Sequence, residues 1–313
     1  MKNKNHKNKI VLILSLGVIF AAGLITQISP EAKPKKQGKF VAIACKSDIA
    51  AYSADGINWV KTSMPNGDWS SICYGNGKFV AIASDSNKAV YSTDGVNWKE
   101  TTLPDDAYMR VYYGNGTFVA SLRSANKGAY STDGIKWKVA ALPFRMYTAV
   151  YGNKKFVTIA GSYKIAYSTD AIKWEITTLP ISSGCWQSIC YGNGKFIALN
   201  NGYCDNAAAY SEDGIKWKQA KMPPVGILED FVYGGGKFIA ISDYNAAAYS
   251  TDGLNWEQIT LPDSVGLLCY GSGMFAGVGR NSNKAAYSTD LINWNETKMP
   301  AEAGWSSICY GGD

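Results

Sequence analysis

Seven aspartates at regular intervals are the residues of this chain whose spacing first suggests chemistry. Each stands in a phrase such as YSTDGVNW, which runs from Tyr91 to Trp98. A row of carboxylates could bind metal ions, but calcium takes about six to eight oxygen ligands, and one carboxylate per turn supplies too few. A turn aspartate, like the serine before it, can instead accept hydrogen bonds from the backbone N–H groups just ahead of it. We therefore predict seven structural turns and no metal site.

Each phrase also has a serine two residues before its aspartate and a tryptophan four residues after it. We expect the tryptophan to lie between neighbouring units, where its ring can bury about 150–250 Å². Glycine follows the aspartate in most phrases, but Ala171 and Leu291 replace it in two. Because a leucine is strained at positive φ, the sequence predicts that this position does not need positive φ. The recurring residues are Ser53, Asp55, Trp59, Ser92, Asp94, Trp98, Ser131, Asp133, Trp137, Ser168, Asp170, Trp174, Ser211, Asp213, Trp217, Ser250, Asp252, Trp256, Ser288, Asp290 and Trp294.

A second group of residues has the types that recognise sugars or anions. Aromatic residues open several β-rich segments such as WSSICYG, and the chain has four arginines, all in or near segments that vary between units. Rings stack on pyranose faces and guanidinium groups bind carboxylates, so these residues are the candidate ligand-binding set. The alternative, that the tryptophans only fill gaps between strands, stays open. The candidates are Trp69, Tyr108, Arg110, Arg123, Arg145, Trp186, Tyr203, Tyr244, Arg280 and Trp305.

Histidine chemistry is excluded from the body of the protein. The only histidine is His6, near the N-terminus, so no Ser–His or Cys–His pair and no His-rich metal site can form. The adjacent acids Asp105–Asp106 and Glu229–Asp230 are the type of pair that a glycosidase uses. We interpret them as solvated loop residues. The sequence thus predicts no catalytic residue and no cofactor.

Six of the seven cysteines divide into two groups. Cys73, Cys190, Cys269 and Cys309 occupy one repeated position, just before a Tyr-Gly pair, and are interpreted as small buried hydrophobes. Cys185 and Cys204 break the pattern and lie in variable loops of one unit. We predict a disulfide between them, as is typical of proteins outside the cytoplasm.

The phrases recur every 37 to 43 residues, a period that indicates a solenoid or a propeller. One unit, residues 69–104, contains four β-rich segments and no helical pattern. Its first two segments are joined by Asn76-Gly77, the strongest two-residue hairpin signal. Four strands per unit is typical of a propeller blade. A proline is predicted to end every fourth strand, which places that strand at the outer edge. These prolines are Pro65, Pro104, Pro143, Pro180, Pro223, Pro262 and Pro300.

The two ends of the repeat region complement each other. The first unit begins at GKFVAIA (Gly38 to Ala44) and lacks an inner strand, while the chain ends in GWSSICYGGD, an inner strand with nothing after it. Together they would complete one blade, whereas an open solenoid would need capping units. We predict an all-β fold: a single seven-bladed β-propeller over 38–313, closed by the C-terminal strand.

The seven phrases resemble the Asp-box, or bacterial neuraminidase, repeat of sialidase-like propellers. That family has Ser-x-Asp-x-Gly-x-x-Trp, and this chain has Ser-x-Asp-Gly-x-x-Trp, one residue shorter. The resemblance covers residues 38–313 and implies a turn between the third and fourth strands. A sialidase of this family would use three arginines on its substrate carboxylate, a tyrosine nucleophile with a glutamate partner, and an aspartic acid. For this chain the enzyme reading predicts that Arg110, Arg123 and Arg145 converge on one anion.

The N-terminus has the pattern of an export signal. Four lysines precede an apolar run from Ile10 to Ile25, so part of the net charge of +6 belongs to this segment. We predict a signal peptide or N-terminal membrane anchor at 1–32 and a linker at 33–37, with the propeller outside the cytoplasm. Contact with a membrane would involve only the N-terminal segment.

The function expected from these features is binding. A glycan or cell-surface ligand on the variable-loop face comes first, a sialidase-like glycoside hydrolase second, and a platform for protein partners third. The remaining positive charge is weak evidence for a polyanion, because lysines on outer strands also prevent edge-to-edge pairing. No nucleic-acid partner is predicted, and a monomer is expected.

Overall fold

Antiparallel β-strands make up nearly all the regular structure of this protein, and no α-helix is present in the described part. The computed structural model describes residues 37–105, 107–122, 126–182, 185–200, 207–221, 225–242 and 245–312. The predicted leader at 1–32 and four candidate residues, Arg123, Tyr203, Tyr244 and Cys204, lie outside this set. Within it, no helix is long and apolar enough to cross a membrane.

The strands fall into four classes by their place in the repeat. The inner strands are β4 (Trp69–Gly75), β8 (Tyr108–Gly114), β12 (Thr148–Gly152), β16 (Trp186–Gly192), β20 (Leu228–Gly234) and β24 (Leu267–Gly271). The second strands are β1 (Lys39–Ala44), β5 (Lys78–Ala83), β9 (Thr117–Leu122), β13 (Lys155–Ile159), β17 (Lys195–Asn200), β21 (Lys237–Ser242) and β25 (Met274–Val278).

The remaining two classes complete each group of four. The third strands are β2 (Ser47–Ser53), β6 (Lys88–Ser92), β10 (Lys127–Ser131), β14 (Lys164–Ser168), β18 (Ala207–Ser211), β22 (Ala246–Ser250) and β26 (Asn281–Ser288). The fourth strands are β3 (Val60–Gly67), β7 (Lys99–Thr102), β11 (Lys138–Ala141), β15 (Glu175–Thr178), β19 (Lys218–Lys221), β23 (Glu257–Thr260) and the first part of β27 (Asn295–Gly311).

Sheet pairing follows the repeat. Five sheets have four strands each in the order first to fourth, and one sheet has seven strands, in the order β24-β25-β26-β27-β1-β2-β3. In that sheet the first part of β27 pairs with β26, and its last part pairs with β1, from Lys39 opposite Gly311 to Ala44 opposite Trp305. The long strand therefore serves two groups of four. This arrangement fits seven blades, and each blade is numbered by the phrase that it contains. The expectation of an all-β fold is confirmed.

The Asn-Gly hairpins have the predicted geometry. Asn76 has φ of 46° and Gly77 has φ of 73°, which are the two positive values of a type I′ turn. The Asn76 side chain also reaches the next blade, where its Nδ2 donates to the backbone oxygen of Thr132 over 3.0 Å. The hairpin residue thus fixes both its own turn and the neighbouring one.

The prediction that proline ends every fourth strand is wrong in two blades. β3 continues through Pro65 to Gly67, and β27 continues through Pro300. In both places the register shifts by a bulge, between Ser47 and Ile49 on one partner strand and between Ser282 and Lys284 on the other. A bulge leaves a residue outside the ladder, so proline's missing N–H costs no hydrogen bond there.

A tyrosine ring covers a glycine at every contact between successive inner strands. Each inner segment ends in Tyr-Gly, and a Cβ built on the glycine would overlap the ring of the tyrosine in the next blade. The same tyrosine also packs against a phenylalanine of its own second strand, with ring centroids 4.6–5.0 Å apart, as in the pair Tyr191 and Phe196. The tyrosine–glycine contacts are Tyr113 on Gly75, Tyr151 on Gly114, Tyr191 on Gly152, Tyr233 on Gly192, Tyr270 on Gly234, Tyr310 on Gly271 and Tyr74 on Gly311.

Candidate functional site

The seven phrase turns share one hydrogen-bond pattern. In the turn at Asp94, the Ser92 hydroxyl donates to Asp94 Oδ1 over 2.9 Å, and the backbone N–H groups of Val96 and Asn97 donate to the same oxygen. The six other turns repeat these three bonds. The inward-facing oxygen of each carboxylate therefore serves its own backbone. No group of three or more metal-ligating side chains occurs among the residues that the structure describes.

These bonds stabilise the ionised form of the turn aspartates. Partial burial by itself would raise the pKa of Asp55, but hydrogen bonds from the backbone and side chain of Asn58, and from Ile57 and Ser53, lower it to about 2. The pKa values of the other six aspartates are lowered too, with backbone N–H donors among the causes in each. An acid that holds its charge this firmly is a poor proton donor at neutral pH.

The expectation that the residue after the aspartate avoids positive φ is wrong. All seven residues at this position have φ between 64° and 76°, including Ala171 at 64° and Leu291 at 74°. Both side chains are fully buried, Ala171 beside Val119 and Phe156, and Leu291 in an apolar cluster with Ile239. Apolar burial offsets the strain, which is about 1–2 kcal/mol for a left-handed residue.

The phrase tryptophans lie at contacts between blades. Trp98, for example, packs against a cluster that joins Val41 and Ile43 of blade 1 to Phe79 of blade 2. The phrase turns are further tied to the preceding blade by threonine hydroxyls, as where Thr101 Oγ1 donates to the Ile135 backbone oxygen over 2.6 Å. The turn is thus a contact point between blades.

The candidate aromatic residues at the starts of the inner strands are buried. Trp69, Tyr108 and Trp186 have 0% of their surface exposed, and Trp305 has 2%. Trp69 Nε1 donates to the Pro65 backbone oxygen and Trp305 Nε1 donates to that of Ser282, so these rings are held within the fold. A ring without an exposed face cannot stack on a sugar. The structure therefore favours the gap-filling alternative for these four residues.

A cavity of about 520 Å³ opens where these inner strands begin. We call it the inner-strand cavity. It is lined by residues of blades 1, 2, 3, 6 and 7, and the charged ones are Asp68, Arg110, Asp230 and Arg280. Asp68 accepts a hydrogen bond from the Ser84 hydroxyl at one side of the cavity. A smaller adjoining cavity of about 60 Å³ shares Arg110 and Asp230 and extends towards Thr148 and Gln187.

Arg110 and Asp230 reach the cavity through the same local device. Each follows a β-bulge at the start of its inner strand, between Tyr108 and Arg110 in β8 and between Leu228 and Asp230 in β20. Bulges re-aim side chains next to functional sites. Arg280 comes from the end of the second strand of blade 7, where Gly266 leaves room for it, because a Cβ there would lie 2.9 Å from Arg280 Cγ.

Asp230 is the carboxylate of the cavity on which the charges of Arg110 and Arg280 act. Burial raises its pKa, against the opposing effects of Arg110, of a 2.9 Å hydrogen bond from the Phe231 N–H, and of Arg280. The interpretation of Asp230 as a solvated loop acid is therefore wrong, since it lies on strand β20 and is partly buried. Sequence reasoning missed it, although comparison of the units would have found it, as the inner strands of blades 2, 5 and 1 have Ser71, Ser188 and Ser307 at this place.

The convergence of three arginines on one anion, as the enzyme reading predicts, stays a prediction. Arg110 and Arg280 line the inner-strand cavity, but Arg145 lies over the ring of Tyr147, 4.8 Å from its centroid, and is not among the lining residues. Arg123 lies outside the described residues. The lining of the inner-strand cavity therefore includes Arg110 and Arg280 but not Arg145.

The cysteines of the inner strands behave as apolar residues. Burial raises the pKa of Cys269 to about 12 and raises those of Cys73, Cys190 and Cys309 as well, so their thiols stay protonated. Cys185 is partly exposed. Because Cys204 lies outside the described residues, the disulfide stays a prediction.

Comparison with known proteins supports the fold. No family model matches the chain, and no curated protein matches it by sequence. A catalytically inactive virginiamycin B lyase from Staphylococcus aureus, solved with quinupristin, is similar at a TM-score of 0.67 and 16% identity, covering 88% of this chain and 96% of that one. AztD from Citrobacter koseri is similar at 0.60 and 10%, covering 89% and 98%. YCF48 bound to a D1 peptide is similar at 0.57 and 15%, covering 82% and 85%. At these identities the likenesses establish a β-propeller and nothing about activity.

Proposed function

We propose that residues 38–313 form a seven-bladed propeller closed by β27, with phrase turns that are a variant of the Asp-box repeat. Three contacts on either side of β27 support closure. Its last part pairs with β1, Tyr310 covers Gly271 of blade 7, and Tyr74 of blade 2 covers Gly311. The Thr297 hydroxyl also donates to the Ile57 backbone oxygen over 2.8 Å, from blade 7 to blade 1.

The function that the geometry supports best is non-catalytic binding of an extended protein segment in the inner-strand cavity. The observation that carries this proposal is a cavity of about 520 Å³ lined by charged, polar and apolar residues from five blades. A glycan was the first expectation, but the rings that would have stacked on it are buried. The cavity lining combines hydroxyl, guanidinium, amide and carboxylate groups with apolar residues such as Met109 and Leu267, which suits the polar backbone and the side chains of a peptide. The solved complex of YCF48 with a D1 peptide is a precedent on a similar fold.

Parallel peptide and glycan arrays test this function. Purified 37–313 is expected to bind a subset of peptides, and Met109→Trp should abolish that binding by filling the cavity that Met109 lines. The matched control is Val139→Trp, which places the same ring on outer strand β11, where Val139 is 57% exposed. Peptide binding that survives Met109→Trp, or binding to glycans alone, would contradict the proposal.

We also propose that the N-terminal segment exports the propeller, so that its partner lies outside the cytoplasm. The support is the lysine-rich start followed by the apolar run Ile10 to Ile25. Fractionation of cells that express the full chain tests this, and recovery of the propeller from the cytoplasm would overturn it.

A further inference from the structure

Two inner strands carry a charged residue at the position where other inner strands have a small structural serine. Both charged residues line the inner-strand cavity. In blade 2 the serine is Ser71, whose hydroxyl accepts a hydrogen bond from the Val111 N–H of blade 3, and Ser307 does the same for Ile72. Arg110 and Asp230 stand at the corresponding place in blades 3 and 6. Asp230 still accepts a hydrogen bond from the Leu268 N–H of blade 7, but a guanidinium has no acceptor, so at Arg110 blade 3 gives up this inter-blade bond and gains a charge at the cavity.

Arg280 brings a second positive charge to the inner-strand cavity. The charges of Arg110 and Arg280 both act on Asp230, although the arginines come from blades 3 and 7 and Asp230 from blade 6. Arg110 is exposed at the cavity and Arg280 is partly exposed. The Asp230 carboxylate and the two guanidinium groups thus line one cavity, with one more positive than negative charge among the three when all are ionised. Asp68, the remaining acid of the cavity, lies at its blade 2 side, where it accepts a hydrogen bond from the Ser84 hydroxyl.

We propose that Arg110 and Arg280 form an anion-binding subsite of the inner-strand cavity, which takes a carboxylate or phosphate group of the bound partner and whose affinity the negative charge of Asp230 lowers. The identity of the partner as a protein segment rests on the function proposed above, but the subsite does not. Guanidinium groups suit this role because their planar N–H donors match carboxylate and phosphate oxygens.

The pH dependence follows from the groups that surround Asp230. These are Arg110 and Arg280, together with the thiols of Cys190 and Cys269, whose pKa values are raised in part by the Asp230 charge. The thiols stay neutral, and burial favours the protonated form of Asp230, so Asp230 is the group of this cluster whose charge responds to acid. As the pH falls and Asp230 takes up a proton, the subsite loses a negative charge and binds an anion more tightly.

Isothermal titration of 37–313 with sulfate at low ionic strength tests the subsite, since sulfate keeps its charge over the working pH range. Arg110→Gln is expected to weaken sulfate binding about tenfold or more, the usual loss for a hydrogen bond to a charged group. Arg145→Gln is the matched control, because Arg145 is also exposed but lies over Tyr147, and it should leave binding unchanged. Equal losses in both variants would reduce the effect to general surface charge and overturn the proposal.

Asp230→Asn gives a second readout that misfolding cannot imitate. Asparagine keeps an oxygen to accept the Phe231 N–H, and at every pH it should bind sulfate as tightly as the wild type does at low pH, which flattens the pH dependence. Weaker binding in this variant would overturn the role of Asp230. If sulfate fails to bind while peptides bind and respond to Met109→Trp, the subsite is refuted and the proposed function is supported. If sulfate binds as expected and no peptide binds, the proposed function is refuted and the subsite is supported.

Discussion

Glycine has two distinct uses in this protein, and single residues distinguish them. Gly192 has an ordinary φ, yet the Tyr233 ring occupies the place where its Cβ would be. Gly194, two residues later, has φ of 73° and open space around it. The first glycine is required by packing between blades and the second by the backbone of the hairpin turn.

Alanine substitution should separate these uses. Gly194→Ala is expected to destabilise the fold by about 1 kcal/mol, the strain of a left-handed alanine. Gly192→Ala should cost more, about 3 kcal/mol, because the new methyl group forces apart a buried aromatic contact. Chemical denaturation of both variants measures the difference, with Gly194→Ala as the control. Equal free energies of unfolding would show that the Tyr233 contact does not constrain the fold.

At the scale of the element, the phrase turn is a small electrostatic unit. Its aspartate has a lowered pKa because backbone N–H groups and a serine hydroxyl donate to the ionised carboxylate. A group with a lowered folded pKa stabilises the fold above its unfolded pKa and loses that contribution as the pH falls through the folded value. Because the seven turns are well separated, their contributions to the pH dependence of stability should add.

The free energy of unfolding should therefore be nearly constant above about pH 5 and should fall steeply below about pH 4, the ordinary carboxyl value. Chemical denaturation across this range measures the slope. Asp94→Asn keeps an oxygen for the Ser92 hydroxyl but removes one titrating group, so its slope between about pH 4 and pH 2 should be smaller than that of the wild type. An unchanged slope would mean that the Asp94 turn does not contribute to acid unfolding.

At the scale of the whole molecule, one strand connects the two ends of the repeat region. The last part of β27 supplies the inner strand beside β1, places Tyr310 between Phe40 and Gly271, and presents Gly311 to Tyr74. Removing it exposes the ladder of β1 and the apolar cluster around Trp305 at once.

A split protein tests this connection. Residues 37–304 alone should unfold at a lower denaturant concentration than 37–313, and a peptide of residues 305–312 added in trans should restore the midpoint. The control peptide carries Gly311→Ala, whose methyl group would overlap the Tyr74 ring, and it should restore less. A truncated protein as stable as the full one would refute closure by β27.

The repeat, the strand order within each unit and the Asn-Gly hairpins were predictable because they depend on local patterns: period, alternation and turn chemistry. The Tyr-Gly contact was visible as a motif, but its meaning was not, because its two residues act in different blades. The bulges at Pro65 and Pro300 and the left-handed Leu291 were mispredicted for the same reason. A neighbouring strand or cluster supplies the compensation there, and no single unit contains it.

The sequence by itself determined a chain of four-stranded units with hydrogen-bonded turns, since each unit carries its own hydrophobic pattern and turn residues. Only the tertiary structure decided which side chains meet at the inner strands. It buried Trp69, Trp186 and Trp305 and brought Arg110, Asp230 and Arg280 from three blades to one cavity. The physical reason is that packing between blades sets the exposure of a ring and the separation of two charges, and the residues involved lie up to 170 positions apart, Arg110 to Arg280.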